Sequence, residues 1–174
     1  MTAHKTTPSP LTGPGGIVRH GGARVYDDLK HDPYQNRHKY VEPTVCPDCG
    51  VIFHRGRWQW GTAPADAHRA VCPACHRVRD KLPAGTVTLE GGFVADHRAE
   101  ILGIVRNQEK RAKDEHPLQR IIAIEEGADR IVVTTTDVHL PRRIGEALKD
   151  AHQGELEVRF GDNEYSVQVD WKRW

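Results

Sequence analysis

The stretch Cys46-Pro47-Asp48-Cys49-Gly50, answered downstream by Cys72-Pro73-Ala74-Cys75, is the most chemically specific feature of the chain, and the other readings start from it. Each C-P-x-C pair predicts a tight turn whose backbone N–H groups point at sulfur. Two such turns together present four thiolates at the ~2.3 Å that Zn²⁺ requires. Gly50 follows the second ligand, where the backbone often needs a positive φ. The 22 residues from Gly50 to Val71 suffice for a hairpin. The expectation is a zinc ribbon holding one structural Zn²⁺ through Cys46, Cys49, Cys72 and Cys75. A closed four-sulfur set leaves no open position for substrate, which argues against catalysis at the metal. The alternatives are two disulfides or four unrelated buried thiols. The lack of a secretory signal, with these four as the only cysteines, favours metal.

A chain of 174 residues, 37% hydrophobic, accommodates a small metal module and one further domain. The net charge of +1 conceals an uneven distribution. Residues 1–45 carry six Lys/Arg against four Asp/Glu, residues 46–83 six against three, and residues 84–174 thirteen against seventeen. With no apolar run of membrane-spanning length, the expected location is the cytoplasm and no membrane partner is expected.

Residues 1–44 hold few large apolar side chains and read as a flexible basic tail. Arg19, His20, Arg24, Lys30, Arg37, His38 and Lys39, interleaved with Tyr26, Tyr34 and Tyr40, suit ordering against RNA, with a merely solubilising tail as the alternative. Gly13-Pro14-Gly15-Gly16 lacks the Lys-Ser/Thr of a phosphate loop. In the ribbon, residues 45–83, Val51-Ile52-Phe53 reads as a strand running into His54-Arg55-Gly56-Arg57-Trp58-Gln59-Trp60. There Trp58 or Trp60 can stack bases while Arg55 and Arg57 meet phosphates, with Arg69, Arg77, Arg79 and Lys81 adding charge. Alternatively, one of the two indoles caps the ribbon's small core. His54, His68 and His76 are surplus to a complete ligand set.

Residues 84–174 read as a compact domain. Thr86–Glu90 alternates as a strand, Asp96 N-caps a helix to about Asp114, and Pro117 ends it. Residues 119–125 and 131–136 form a hairpin about Gly127-Ala128-Asp129. A second helix carries Leu140, Ile144, Leu148 and Ala151 on one stripe and closes at Gly154. Leu156–Phe160 and Tyr165–Trp171 pair about Gly161-Asp162-Asn163. The order β-α-β-β-α-β-β is the split β-α-β, ferredoxin-like pattern, an antiparallel sheet with two helices on one face and an extra C-terminal edge strand, so the class is α+β.

Thr134-Thr135-Thr136-Asp137-Val138-His139 brings hydroxyls, a carboxylate and an imidazole to a strand-to-helix junction. Helix capping is the first reading, followed by phosphate contact through Thr135, Thr136, His139, Arg142 and Arg143, and then by an enzyme acting at Thr136, Asp137 and His139. His97, His116 and His139 show no ligand spacing for a second metal. No nucleophile or Walker pattern appears.

The motif Thr135–Gly145, T-T-D-x-H-L-x-R-R-I-G, together with His54–Trp60 and Glu115-His116-Pro117-Leu118, resembles an uncharacterised bacterial zinc-ribbon family over about Cys46 to Trp171. More distantly, the chain is similar to the N-terminal part of the Nmd-type large-ribosomal-subunit adaptor, although that family has two four-cysteine sites and later β-rich domains. The resemblance implies a ribosome-linked, RNA-contacting role in translation, subunit handling or stress. The expectation is therefore a non-catalytic RNA-binding protein whose acidic C-terminal domain docks a protein or occupies a ribosomal site. The alternative is a protein-interaction zinc module without RNA.

Overall fold

The computed structural model describes residues 32–34, 39–162 and 165–174. Most of the expected tail, with Arg19, His20, Arg24, Tyr26, Lys30, Arg37, His38 and the Gly13–Gly16 run, lies outside the described residues, as does Asn163. The described residues form two sheets and four helices, a mixed α+β architecture. No helix among them is long and apolar enough to cross a membrane.

The first sheet joins β1 (Thr44–Val45), β2 (Ile52–His54), β3 (Arg57–Gln59) and β4 (His68–Arg69) in the order β3-β2-β1-β4. β2 and β3 are linked by Arg55 and Gly56, both at positive φ (51° and 75°), the backbone of a two-residue hairpin turn. The carboxylate of Glu42 accepts the N–H of Arg55 at 2.7 Å and of Gly56 at 3.0 Å, holding the turn in place. Helix α1 (Pro73–Asp80) follows, an element the ribbon expectation did not include. Cys72 caps it by accepting the Cys75 N–H, and Pro73 sits in the first turn, where its missing N–H costs nothing.

The second sheet contains β5 (Gly85–Glu90), β6 (Ile121–Glu126), β7 (Arg130–Thr135), β8 (Glu155–Phe160) and β9 (Val167–Lys172). Its order is β6-β7-β5-β9-β8. The expected extra edge strand is therefore placed differently. β9 lies inside, parallel to β5 and antiparallel to β8, and the sheet is mixed rather than antiparallel. The physical reason is burial. Val167, Val169 and Trp171 of β9 are almost wholly enclosed, with Trp171 at 0% exposure, whereas Glu155, Glu157 and Arg159 of β8 project into water and suit an edge.

Alternation along the strands builds one inward layer. Val87 faces Val133 and Val169, and Leu89 faces Ile131 and Trp171. Helices α2 (Gly92–Asp96), α3 (Arg98–Glu115) and α4 (His139–His152) contribute to the same core. Leu140, Ile144 and Leu148, four residues apart, form the buried stripe of α4, each side chain contributing about 1.5–3 kcal/mol of burial. At Gly145 a Cβ would meet Leu156 Cδ1 at 2.7 Å and Val169 Cγ1 at 2.8 Å, so α4 lies closer to the β8–β9 hairpin than a larger residue would permit.

Asp96 is not the expected N-cap. It ends the short α2, and His97 (φ −118°) separates that turn from α3. The break allows the Phe93 ring to stack on His97 at 3.8 Å while also facing Trp171.

Candidate metal centre

The first cysteine pair leaves β1 in a turn closed by Gly50 N–H to Cys46 carbonyl (2.9 Å) and Cys46 N–H to Val51 carbonyl (2.9 Å). Gly50 has φ +78°, as the spacing required. The second pair is the N-terminus of α1, where Cys75 N–H donates to Cys72 Sγ at 3.4 Å. Cys72 N–H in turn donates to Cys46 Sγ at 3.3 Å. All four thiols are free, and their sulfurs lie within 4.8 Å of one another. Cys49 Sγ and Cys72 Sγ stand 3.8 Å apart, about the ~3.8 Å edge of a tetrahedron with ~2.3 Å metal–sulfur bonds. Donor type, number and spacing all fit a single structural metal ion. His54, His68 and His76 are exposed and outside this set.

The site extends beyond the ribbon. Arg120, in the segment joining α3 to β6, is 8% exposed, and its guanidinium donates to Cys49 Sγ at 3.2 Å, Cys75 Sγ at 3.3 Å and Cys72 Sγ at 3.8 Å. Arg120 Nε donates to the Pro117 carbonyl at 2.6 Å, and its backbone N–H donates to Thr136 Oγ1 at 3.0 Å. Leu118 packs into the apolar cluster formed by Cys46, Val51, Cys72, Ala74 and Cys75. Burial pushes the Cys72 thiol up and the Cys75 thiol up to about 11. Burial acts on Cys49 too, but the Val51 backbone N–H and Arg120 outweigh it and bring that thiol down to about 7. A divalent ion supplies the positive charge that favours the thiolate form at Cys72 and Cys75, which burial otherwise keeps protonated.

No protein-family model, curated protein or solved structure matches this chain. The functional reading therefore rests on the residues themselves.

The expected nucleic-acid contacts divide into two groups. Arg55, Arg57, Arg69 and Lys81 are exposed. The strand register puts Arg57 with His54, and Arg69 with Val45 and Ile52, on one face of the first sheet. Arg79 is also exposed but pairs with Asp48 at 2.5 Å. Arg77 cannot serve as a phosphate contact. It is 3% exposed, pairs with Asp32 at 2.7 Å, donates to the Leu82 carbonyl and lies 4.4 Å from the Tyr34 ring centroid. Its charge is spent tying residues 32–34 to α1.

Both ribbon indoles make internal contacts. Trp58 is half-buried among Phe53 and Tyr40, with ring centroids at 5.4 and 5.0 Å. Trp60 is 40% exposed, yet its Nε1–H donates to the Lys113 carbonyl of α3 at 2.7 Å and Arg120 lies 6.0 Å from its ring.

At the Thr135–Arg143 junction the capping reading fits. Asp137 accepts the N–H groups of His139 (2.8 Å) and Leu140 (3.3 Å). Thr135 Oγ1 donates to the Asp137 carbonyl and Thr136 Oγ1 to the Leu118 carbonyl, and both residues are buried. Thr135 and Thr136 are thereby corrected as phosphate contacts, since their hydroxyls are enclosed and already committed. His139, Arg142 and Arg143 instead line an open cleft.

Proposed function

We propose that this chain is a zinc-stabilised, non-catalytic RNA-binding protein of the cytoplasm. In this reading Cys46, Cys49, Cys72 and Cys75 hold one Zn²⁺, and the ribbon presents cations to phosphate. The observation that carries it is the net positive charge of the ribbon together with its exposed cations. Among the described residues Arg55, Arg57, Arg69 and Lys81 are exposed with no ion pair, and residues 46–83 carry six Lys/Arg against three Asp/Glu where residues 84–174 carry thirteen against seventeen. Exposed cations on a module of net positive charge are the electrostatic footprint of a polyanion site, and single-stranded or ribosomal RNA is the polyanion that suits the resemblance noted above.

The indoles enter this reading as supports rather than stacking platforms: Trp58 stiffens the hairpin behind Arg55 and Arg57, and Trp60 docks it on α3. The acidic larger unit is the surface on which a protein partner would dock. The test is binding to ribosomes and to single-stranded RNA at several salt concentrations. If Arg55 and Arg57 each neutralise one phosphate, replacing both with Ala lowers the slope of log K against log salt by about 1.4. An unchanged slope, or no binding by wild type at low salt, contradicts the reading.

A further inference from the structure

The segment that carries Arg120 to the sulfurs also forms one wall of a cleft of about 480 Å³, lined by His116, Gln119, His139, Arg142, Arg143 and Glu146. We propose that this cleft is a second binding site, for a phosphate monoester that carries a hydrogen-bond donor beside its phosphate, as a nucleotide does.

The first support is charge. Two guanidinium groups and two imidazoles converge on the cleft against a single carboxylate, and that carboxylate, Glu146, reaches Arg142 at 3.6 Å across an exposed, solvent-screened gap. The imidazole of His139 is held below its usual range, first by burial and then by Arg142 and His116. An anion between these groups relieves their mutual repulsion. The backbone amides at the start of α4 are not the donors, because Asp137 already accepts the N–H groups of His139 and Leu140. The side chains must provide the contacts, and paired arginines suit the bidentate geometry of phosphate.

The second support is Gln119. Its Oε1 is buried and has no hydrogen-bond partner. Buried acceptors are rarely left unpaired, and a cationic cleft offers this one nothing from inorganic phosphate beyond a single P–OH. Gln119 lines the cleft, so a rotation of its amide on binding would bring that oxygen to a ribose hydroxyl or base N–H beside the phosphate. The volume falls within the ~300–1,000 Å³ of ordinary small-molecule sites. The same chemistry can come from a free mononucleotide or from the 5′-phosphorylated end of an RNA strand. Neither requires Arg55 or Arg57, so the proposal goes beyond the ribbon reading and does not depend on it.

The experiment is calorimetric titration of the full chain at low salt with inorganic phosphate, the four common nucleoside 5′-monophosphates and their nucleosides. A short RNA with either a 5′-phosphate or a 5′-hydroxyl is titrated in parallel. At least one monophosphate should bind about tenfold or more tighter than its nucleoside, and Arg142→Gln or Arg143→Gln should abolish that advantage. Gln119→Leu should weaken the monophosphate while leaving inorganic phosphate within about twofold. Arg55→Ala/Arg57→Ala should leave both unchanged. A 5′-phosphate over 5′-hydroxyl ratio in RNA larger than the monophosphate over nucleoside ratio identifies the strand end as occupant, and the reverse identifies the free nucleotide. Thermal melting of each variant excludes misfolding, since both arginines are at the surface. The proposal is overturned if no monophosphate binds better than its nucleoside, or if folded Arg142→Gln and Arg143→Gln bind it as the wild type does.

Discussion

The guanidinium of Arg120 reaches Cys49 Sγ at 3.2 Å across 71 positions of sequence, so a residue of the larger unit completes the surroundings of a cysteine cluster that belongs to the ribbon. Guanidinium donation to sulfur withdraws charge from the thiolates, and Thr136 and Pro117 fix the arginine so that its position does not adjust. Arg120→Met, similar in length and uncharged, should therefore weaken metal retention by about 10–100-fold, the usual effect of removing a partner that orients metal ligands. Competition against a colorimetric zinc chelator measures it. Equal retention by variant and wild type would reduce Arg120 to a packing residue.

Trp58 and Trp60 should report on stability rather than on RNA. Removing the ring contacts of Trp58 with Phe53 and Tyr40 through Trp58→Ala should cost about 1–3 kcal/mol. Trp60→Phe, which loses the bond to the Lys113 carbonyl, should cost about 1 kcal/mol. Denaturant titration gives both numbers, and the salt slope of RNA binding should stay at the wild-type value. A reduced RNA affinity in a Trp60→Phe variant of unchanged stability would restore base stacking to that residue.

Asp137 predicts a specific pH dependence. Burial raises its carboxyl to about 6, against the N–H groups of His139 and Leu140 and the charges of Arg143 and Arg77, which pull it down. With the native value above the unfolded one, the native state holds the extra proton between about pH 4 and pH 6. The stability this proton contributes is complete below pH 4 and is lost as pH rises through 6. Relative to Asp137→Asn, the wild type should lose up to about 3 kcal/mol across that window. Taking the difference between the two proteins cancels acid loss of the metal, which is common to both. A flat difference would show that capping keeps the carboxylate ionised.

Much of this arrangement was legible in the sequence because it is local. The C-P-x-C spacing, the alternation of β5 and β7, the stripe of α4 and the cap at Asp137 each involve residues within a few positions of one another. What was not legible is long-range. Leu156-Val158-Phe160 and Val167-Val169-Trp171 alternate equally well, and periodicity alone cannot say which strand is interior; the decision lies in the volume of Trp171 and the charged alternates of β8. The burial of Arg77 depends on Asp32, and that of Arg120 on three sulfurs 45–71 positions away, so neither differs in sequence from a solvated arginine.

The central claim is that the metal ion, the ribbon and the Pro117–Ile121 segment form one cooperative unit. Amide hydrogen exchange on the full chain, with zinc bound and after chelation under reducing conditions, tests it most directly. Metal removal should abolish protection across residues 46–83 and also at Arg120, whose N–H is buried against Thr136 Oγ1. β5, β7 and β9, which have their own core, should stay protected. Unchanged protection at Arg120 while residues 46–83 lose theirs would contradict the account and make the ribbon an independent module.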